Sequence, residues 1–258
     1  MLYLLYALLD AWLIRPPEAG RVAWLRVAIY AHRGLHGGEG APENSPAAFE
    51  AAIARGLGIE CDVQRSSDGQ ALVFHDFDLD RLTGESGAVI DRSATQLGKV
   101  VLSGTADAIP TLQTLLQQVA GQVPLLIEVK SRKGLHVVPL CLAVRRVLEG
   151  YRGPVAVMSF DPRVSHWFAV HSPHIIHGLV VSERDKSRVL RTFRTRMTLW
   201  LAQPEFLAWD VRDLPSRLAG KQRKRGLPLL TWTVRDDRLL ERAEKYADAP
   251  IAEGEALA

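Results

Sequence analysis

The sequence predicts an α/β fold: a (β/α)8 TIM barrel with a short excursion after the second strand and an extra N-terminal helix. Eight short apolar runs alternate with helical patterns along the chain. Most of these runs are continuous, which is typical of parallel strands buried on both faces. Eight such units in about 230 residues match the size of this barrel. A doubly wound open sheet is the alternative, but the sequence holds no G-x-G-x-x-G or P-loop pattern to support it.

The N-terminal segment MLYLLYALLDAWLIRPP is predicted to form a helix outside the barrel. Its apolar run of about 14 residues is interrupted by Asp10 and falls short of the roughly 20 residues that span a bilayer. It also lacks the basic region and the cleavage site of a signal peptide. Two interpretations stay open: a helix that caps the bottom of the fold, or an interfacial helix that touches lipid. We therefore divide the chain into an N-terminal helix with its lead-in, 1–26, and a barrel domain, 27–258.

The strands and helices follow in regular order. Strands are predicted at 27–32, 58–63, 124–130, 154–160, 175–180, 205–210, 227–234 and 247–252. Helices are predicted at 45–56, 109–121, 135–150, 161–171, 183–200, 214–226 and 236–248. The first of these begins with Ser45 as N-cap and Pro46 behind it, and it ends at Gly56. Residues 64–109 are too irregular for a βα unit, so we expect a short hairpin-like excursion there.

Composition is that of a soluble globular protein. The apolar fraction is 47%, the charged fraction is 24% and the net charge is +3. Lys and Arg are spread along the chain, so we expect no nucleic-acid partner. Cys61 and Cys141 are too far apart for a disulfide framework or a zinc pattern. Together with the missing export signal, they predict a cytoplasmic location.

Polar residues interrupt the apolar strands at their carboxyl ends. They are His32 and Arg33 at the first strand, Glu60 and Asp62 at the second, Glu128 and Lys130 at the third, and His75 on the extended run that follows the second. In a barrel of this type the carboxyl ends of the strands converge on one mouth, where active sites lie. Each motif alone has an ordinary structural explanation, such as an ion pair or a turn. Their convergence on one mouth favours a functional site.

The residue types at this mouth indicate a phosphate-ester hydrolase. Three converging carboxylates repel one another unless a cation lies between them, and oxygen ligands suit Mg²⁺ or Ca²⁺. Two histidines can serve as general acid and general base. Arg33 and Lys130 are donors suited to a phosphate.

A set of short motifs resembles the glycerophosphodiester phosphodiesterase family. The motifs match in order and spacing from about residue 28 to 252. They are AHRG (31–34), PENS (42–45), IECDV (59–63), DGQALVFHD (68–76), LDRLTG (79–84), IPTL (109–112), LIEVK (126–130), SFDP (159–162) and LTWTV (230–234).

The resemblance implies a metal-dependent enzyme that hydrolyses a glycerophosphodiester to glycerol 3-phosphate and an alcohol. The roles it implies are acid–base catalysis by His32 and His75, metal binding by Glu60, Asp62 and Glu128, and substrate binding by Arg33, Lys130 and Trp232. It also implies attack of the glycerol hydroxyl on phosphorus and a cyclic phosphate that water then opens. Glu43, in the PENS motif, could reach the metal or brace the loop after His32, and we favour bracing.

The sequence departs from the family pattern at two places, and two other functions stay open. Ser45 replaces a common Thr, and APIAEG (249–254) replaces the common I-I-T-D, which puts the outer pocket in doubt. One alternative function is a lysophospholipase D that meets a membrane through the N-terminal helix. The other is a non-catalytic phosphodiester-binding protein. The leaving alcohol, the choice between Mg²⁺ and Ca²⁺ and the oligomeric state are left open by the sequence.

Overall fold

Parallel strands with helices between them organise the computed structural model of the chain. It describes residues 2–37, 41–132, 134–183 and 188–258, with the side chains of 2–5, 7, 8 and 188–192 excepted. Nine strands are present in this part of the chain: β1 Tyr30–His32, β2 Gly58–Arg65, β3 Ala71–Val73, β4 Leu125–Val129, β5 Val155–Ser159, β6 Ile176–Val181, β7 Phe206–Asp210, β8 Leu229–Val234 and β9 Ala249–Ala252.

Eight of these strands close into a parallel barrel. Their order is β1-β9-β8-β7-β6-β5-β4-β2, and β1 also pairs with β2, which closes the ring. Each of the eight predicted strands overlaps one barrel strand, so the predicted TIM barrel is confirmed. Every barrel strand is buried along nearly its whole length, as the continuous apolar runs require.

The helices lie between the strands, with bounds close to those predicted. They are α1 Leu2–Leu13, α2 Ala19–Val22, α3 Pro46–Ala54, α4 Ala94–Leu97, α5 Leu112–Val119, α6 Val138–Leu148, α7 Pro162–His171, α8 Arg188–Ala202, α9 Arg217–Lys224 and α10 Asp237–Tyr246. The Ser45 side chain accepts a hydrogen bond from the Ala48 backbone N–H and so caps α3, as predicted. The helix predicted over 183–200 is found from Arg188 onward, and its residues 184–187 lie outside the described part of the chain.

The register between neighbouring strands sets the site residues side by side. In the pairing of β1 with β2, His32 lies opposite Glu60. In the pairing of β2 with β4, Asp62 lies opposite Glu128. Side chains two apart on a strand share a face, so Glu60 and Asp62 both point into the barrel, and Cys61 points outward into the core.

The bottom of the barrel is closed by residues 19–26. Val22 and Leu25 pack with the inward-facing Tyr30, Phe206 and Leu230 in one buried cluster. Ion pairs hold the same segment to the loops that precede the strands, from Arg21 to Glu205 and from Arg26 to Asp248.

Helix α1, whose last residues border the loops before β6 and β7 at the bottom of the barrel, packs against the outer helices α8 and α9. The fully buried Asp10 holds it there. Trp200 Nε1 donates to Asp10 Oδ1 at 2.9 Å, and Lys221 Nζ donates to Asp10 Oδ2 at 2.8 Å. The Arg225 guanidinium also donates to the carbonyl oxygens of Asp10 and Ile14. Among the described helices, none combines the length and the apolar character needed to cross a membrane.

The predicted excursion after the second strand is present. Strand β3 returns antiparallel to β2, with Val73 opposite Val63. The residues that follow fold over a small apolar cluster of their own, which includes Phe74, Leu79 and Leu97. The excursion thereby carries His75 to the mouth of the barrel.

Candidate active site

Three buried carboxylates form the centre of the site. Glu60 and Asp62 come from β2 and Glu128 from β4. One oxygen of each residue lies within 4.8 Å of an oxygen of the other two. Their side chains are almost fully buried, so water contributes little screening.

The electrostatics of this cluster favour a cation. Burial raises the pKa of Glu60, and the charges of Asp62 and Glu128 raise it further. Burial also raises the pKa of Glu128, although Lys130 opposes this. The pKa of Asp62 is lowered, because Lys130 and Arg33 outweigh the effect of burial. The cluster is buried, its ligand atoms are all oxygens, and the positive charge around it does not balance three carboxylates. These features fit a hard divalent cation, so these residues could hold the metal that the sequence implies.

Two cationic side chains border the cluster. Lys130 Nζ lies 3.0 Å from Glu128 Oε1 and 3.3 Å from Asp62 Oδ1. Arg33 Nε lies 3.2 Å from Asp62 Oδ2, and the Arg33 backbone N–H donates to Glu60 Oε2 at 3.1 Å. The pKa of Lys130 is raised, because the two carboxylates outweigh its burial. The carboxylates likewise raise the pKa of Arg33, so both cations keep their charge beside the cluster.

The turn after β1 depends on a glycine. Arg33 itself has a positive φ of 56°, and Gly34 has a φ of 80°. A Cβ atom at Gly34 would lie 2.9 Å from the Ala48 Cβ and its carbonyl carbon, which is closer than side chains tolerate. The sequence H-R-G therefore permits α3 to pack directly against the turn that presents Arg33.

His32 is held between the carboxylate cluster and the end of the last strand. Its Nε2 lies 4.0 Å from Glu60 Oε2, and its Nδ1 is in close contact with Glu253 Oε2. Arg235 Nε donates to the other oxygen of Glu253 at 2.6 Å, and His36 Nε2 lies 3.6 Å from Oε2. Burial lowers the pKa of His32, although Glu253 opposes this. The pKa of Glu253 is lowered, because contacts with the two histidines outweigh its burial.

Sequence analysis missed Glu253, which fills part of the departure from I-I-T-D. A signal was present, since Glu253 directly follows β9 and is a polar residue at a strand end like the others. The sequence associates this departure with the outer pocket, and the structure sets the Glu253 carboxylate directly behind His32.

His75 is oriented by a carboxylate of its own. Its Nδ1 lies 2.6 Å from Asp76 Oδ1, and the Arg81 guanidinium donates to both oxygens of Asp76. Burial lowers the pKa of His75. The pKa of Asp76 is lowered to about 2, because the hydrogen bonds from Arg81 and His75 outweigh its burial.

One carboxylate joins the loops that carry the two histidines. Glu43 Oε1 accepts hydrogen bonds from Arg33 Nη1 at 2.7 Å and from Arg81 Nη2 at 2.6 Å. Arg33 follows His32, and Arg81 holds Asp76 beside His75. Glu43 therefore bridges the His32 turn and the excursion, which agrees with its expected bracing role.

The structure brings seven of the eight predicted site residues together in one network of contacts. The eighth, Trp232, faces the barrel interior from β8. Its Nε1 donates to the Ala208 carbonyl oxygen at 3.0 Å, and its ring meets the Phe160 ring edge-on at 5.2 Å between centroids. Trp232 thus belongs to the same mouth, and its indole N–H is bonded to Ala208 and not to the carboxylate cluster.

Comparisons with known proteins agree with these features. Residues 32–252 match the Glycerophosphoryl diester phosphodiesterase family. The chain is 30% identical over 219 residues to the Bacillus subtilis protein YhdW, provisionally named a glycerophosphodiester phosphodiesterase; the match covers 81% of this chain and 87% of YhdW. It is 26% identical to a glycerophosphodiester phosphodiesterase of Caldanaerobacter subterraneus, over 86% of this chain and 91% of that one.

The fold is also similar to that of solved structures. One is an Oleispira antarctica phosphodiesterase in complex with the product sn-glycerol-3-phosphate. The TM-score is 0.75 at 23% identity, and the likeness covers 88% of this chain and 93% of the other. At this identity the likeness supports the barrel fold.

Proposed function

The chain belongs to the glycerophosphodiester phosphodiesterase family, and from this premise we propose that it hydrolyses a glycerophosphodiester to glycerol 3-phosphate and an alcohol by metal-dependent histidine catalysis. Membership makes it a phosphodiesterase. One observation supports the finer proposal most strongly: three buried carboxylates meet at the mouth of the barrel, with His32 Nε2 4.0 Å from Glu60 and His75 near enough for the charge of Asp62 to act on its pKa.

Glu60, Asp62 and Glu128 would hold a divalent cation, Mg²⁺ or Ca²⁺. When bound, such a cation lowers the pKa of a coordinated hydroxyl and neutralises charge on the phosphate. Lys130 now serves as counter-charge for Glu128 and Asp62. Once those carboxylates have another partner, Lys130 and Arg33 can donate hydrogen bonds to phosphate oxygens.

The two histidines divide the proton transfers. One accepts the proton of the glycerol hydroxyl as its oxygen forms a bond to phosphorus. The other donates a proton to the alcohol oxygen as the phosphorus–oxygen bond to that alcohol breaks. Water then opens the cyclic phosphate with the roles exchanged, which restores both protonation states. Each proton transfer is worth roughly 10²–10⁴-fold in rate.

Contacts of the imidazole Nδ1 atoms support this division. Glu253 accepts from His32 Nδ1 and Asp76 from His75 Nδ1, so each Nε2 is left to exchange protons with substrate. The lowered pKa of each histidine favours its neutral form, in which a bare Nε2 can act as a base. The histidine that serves as general acid must begin the cycle as the imidazolium, with a proton on both nitrogen atoms. Trp232 and Phe160 would form a wall of the substrate pocket.

We infer the identity of the product from the family and from a structural relative, since the structure of the Oleispira phosphodiesterase is a complex with the product sn-glycerol-3-phosphate. The lysophospholipase D alternative is not favoured, because α1 is bonded through Asp10 to the helices of the barrel itself. We keep the cytoplasmic location as a prediction.

Turnover after chelation tests this proposal. Glycerol 3-phosphate release would be measured with several glycerophosphodiesters, first in EDTA and then with Mg²⁺ or Ca²⁺ restored. We expect activity to vanish in EDTA and to return with one of these ions, and we expect His32→Ala and His75→Ala each to lower kcat at least 10²-fold. Undiminished hydrolysis by both variants of every diester tried would refute the roles assigned here.

A further inference from the structure

A second feature lies beside the carboxylate cluster: a cavity of about 190 Å³. It is enclosed by the excursion on one side and by the loop between β4 and α6 on the other. Lys130 forms its border with the cluster, and Gln64 stands two residues beyond Asp62 on β2. Phe77, two residues after His75, supplies part of its wall. The cavity therefore adjoins the position of the phosphate on the His75 side.

The rest of the cavity wall is mostly apolar, with two guanidinium groups added. Ile90 and Leu140 are among the apolar residues, and Arg65 and Arg132 bring the positive charge. The Arg132 guanidinium carbon lies 4.8 Å above the centre of the Phe77 ring. Among the lining residues that the structure describes, none is an Asp or a Glu.

The positive charge of this cavity is not neutralised by the described part of the chain. Arg33, Arg81 and Lys130 each contact at least one carboxylate. Arg65 and Arg132, by contrast, make no ion pair with any described Asp or Glu. A negatively charged group in the cavity would therefore meet two guanidinium groups free to donate charge-assisted hydrogen bonds.

We propose that this cavity receives the leaving alcohol and selects alcohols that carry a negative charge, such as a carboxylate, over cationic ones. The inference rests on the proposed function, because it takes the phosphate to lie beside Lys130. A cationic headgroup such as choline is recognised by open aromatic faces. Here Arg132 already covers the face of Phe77, and its charge repels a second cation.

The volume of the cavity bears on the size of the leaving alcohol. The cavity has room for several water molecules, and hence for a small alcohol. The preferred substrate is then a glycerophosphodiester whose leaving alcohol is small and anionic.

Two diesters that differ by one carboxylate test this directly: glycerophosphoserine and glycerophosphoethanolamine. We expect the wild-type kcat/KM to be at least tenfold higher for glycerophosphoserine. Arg132→Gln and Arg65→Gln should each lower that ratio about tenfold, because a hydrogen bond to a charged group is lost. The kcat/KM for glycerophosphoethanolamine should rise, because repulsion of its ammonium group falls. Arg152→Gln, at the opposite end of the barrel, is the matched control and should leave the ratio unchanged.

The outcomes separate this inference from the proposed function. Equal kcat/KM values for the two diesters, or a preference that survives both substitutions, overturn the anion-selective cavity and leave the phosphodiesterase intact. Failure to hydrolyse any diester overturns the proposed function. In that event, the binding of both diesters to the wild type and to Arg132→Gln would be measured by calorimetry. Equal affinity of the wild type for the two diesters overturns the inference. Tighter binding of glycerophosphoserine by the wild type, lost in Arg132→Gln, supports it. Unfolding midpoints of all variants exclude misfolding as the cause.

Discussion

The Nδ1 atom of His32 contacts the carboxylate of Glu253, although 221 residues separate them along the chain. The contact joins the first strand of the barrel to the residue that follows the last one. It fixes the imidazole so that Nε2 faces Glu60 and the mouth. Glu253 is therefore a positioning residue for His32.

Replacing Glu253 tests this role. Glu253→Ala should lower kcat about 10- to 100-fold while KM changes little, because the imidazole loses the acceptor that fixes its tautomer and orientation. Steady-state kinetics on a glycerophosphodiester would measure both constants. Glu253→Asp should recover part of the loss, since it keeps a carboxylate.

Arg235→Gln is the matched control for this series. Its side chain is about half exposed and contacts Glu253 on the oxygen away from His32. We expect kcat within about twofold of the wild type, because exposed ion pairs contribute little. If Glu253→Ala changed KM alone, Glu253 would belong to substrate binding and not to the positioning of His32.

The carboxylate cluster should respond to a cation through stability as well as activity. The raised pKa of Glu60 means that its negative charge opposes folding near pH 8. In EDTA, Glu60→Gln should therefore raise Tm by about 2 °C. Mg²⁺ or Ca²⁺ should raise the Tm of the wild type but not of the variant, because one ligand is missing. A variant that gained as much Tm from the cation as the wild type would argue that the cation binds elsewhere.

Asp76 should leave a signature in the acid stability of the protein. Its folded pKa of about 2 lies below the usual value of about 3.9 for an unfolded Asp. The stability it contributes is present above about pH 4 and is lost as pH falls toward 2. The difference in urea midpoint between wild type and Asp76→Asn should then shrink as the pH falls from about 4 toward 2.

The exposed Asp78 provides the comparison, because it lies two residues away on the same excursion. Asp78→Asn should follow the wild-type urea midpoint over the whole pH range. A difference between wild type and Asp76→Asn that grew as the pH fell from about 4 toward 2 would contradict the assigned direction of the Asp76 shift.

Asp10 should matter for stability and not for chemistry. Asp10→Ala should lower the free energy of unfolding by about 2 kcal/mol, since Lys221 and Trp200 lose a buried partner. The kcat for a water-soluble diester should stay unchanged, because α1 contacts the outside of the barrel. Glu50→Ala, at an exposed position of α3, is the control. Denaturation and turnover of the same samples would check both claims, and a lower kcat without lower stability would contradict them.

Sequence reasoning predicted the barrel and the meeting of three carboxylates for one physical reason. Buried parallel strands appear in the sequence as continuous apolar runs, and a polar residue at the end of such a run is easily recognised. Glu60, Asp62 and Glu128 are visible in this way. Their mutual distances follow from the register of β2 with β4, which the barrel topology imposes.

The relations that escaped prediction all join distant parts of the chain. The place of α1 depends on Asp10 meeting Lys221, and neither residue has a local pattern that predicts the other. The contact of Glu253 with His32 depends on closure of the barrel between β9 and β1. The periodicity of apolar residues carries information only about residues that are close in sequence. Contacts between distant residues, such as these pairs, therefore become visible only in the folded structure.

Strand β2 serves two cores at once. Its first half carries Glu60 and Asp62 inside the barrel, and its second half pairs with β3 and supports the separate apolar cluster of the excursion. Because Phe77 and Ile90 belong to the excursion, the cavity wall can change without any change in the three carboxylates. Arg65 and Arg132 lie outside the excursion, on β2 and on the loop after β4. Transplanting the excursion between barrels of this family should therefore reshape the apolar wall of the cavity, while the charge preference and the phosphorus chemistry stay with the host.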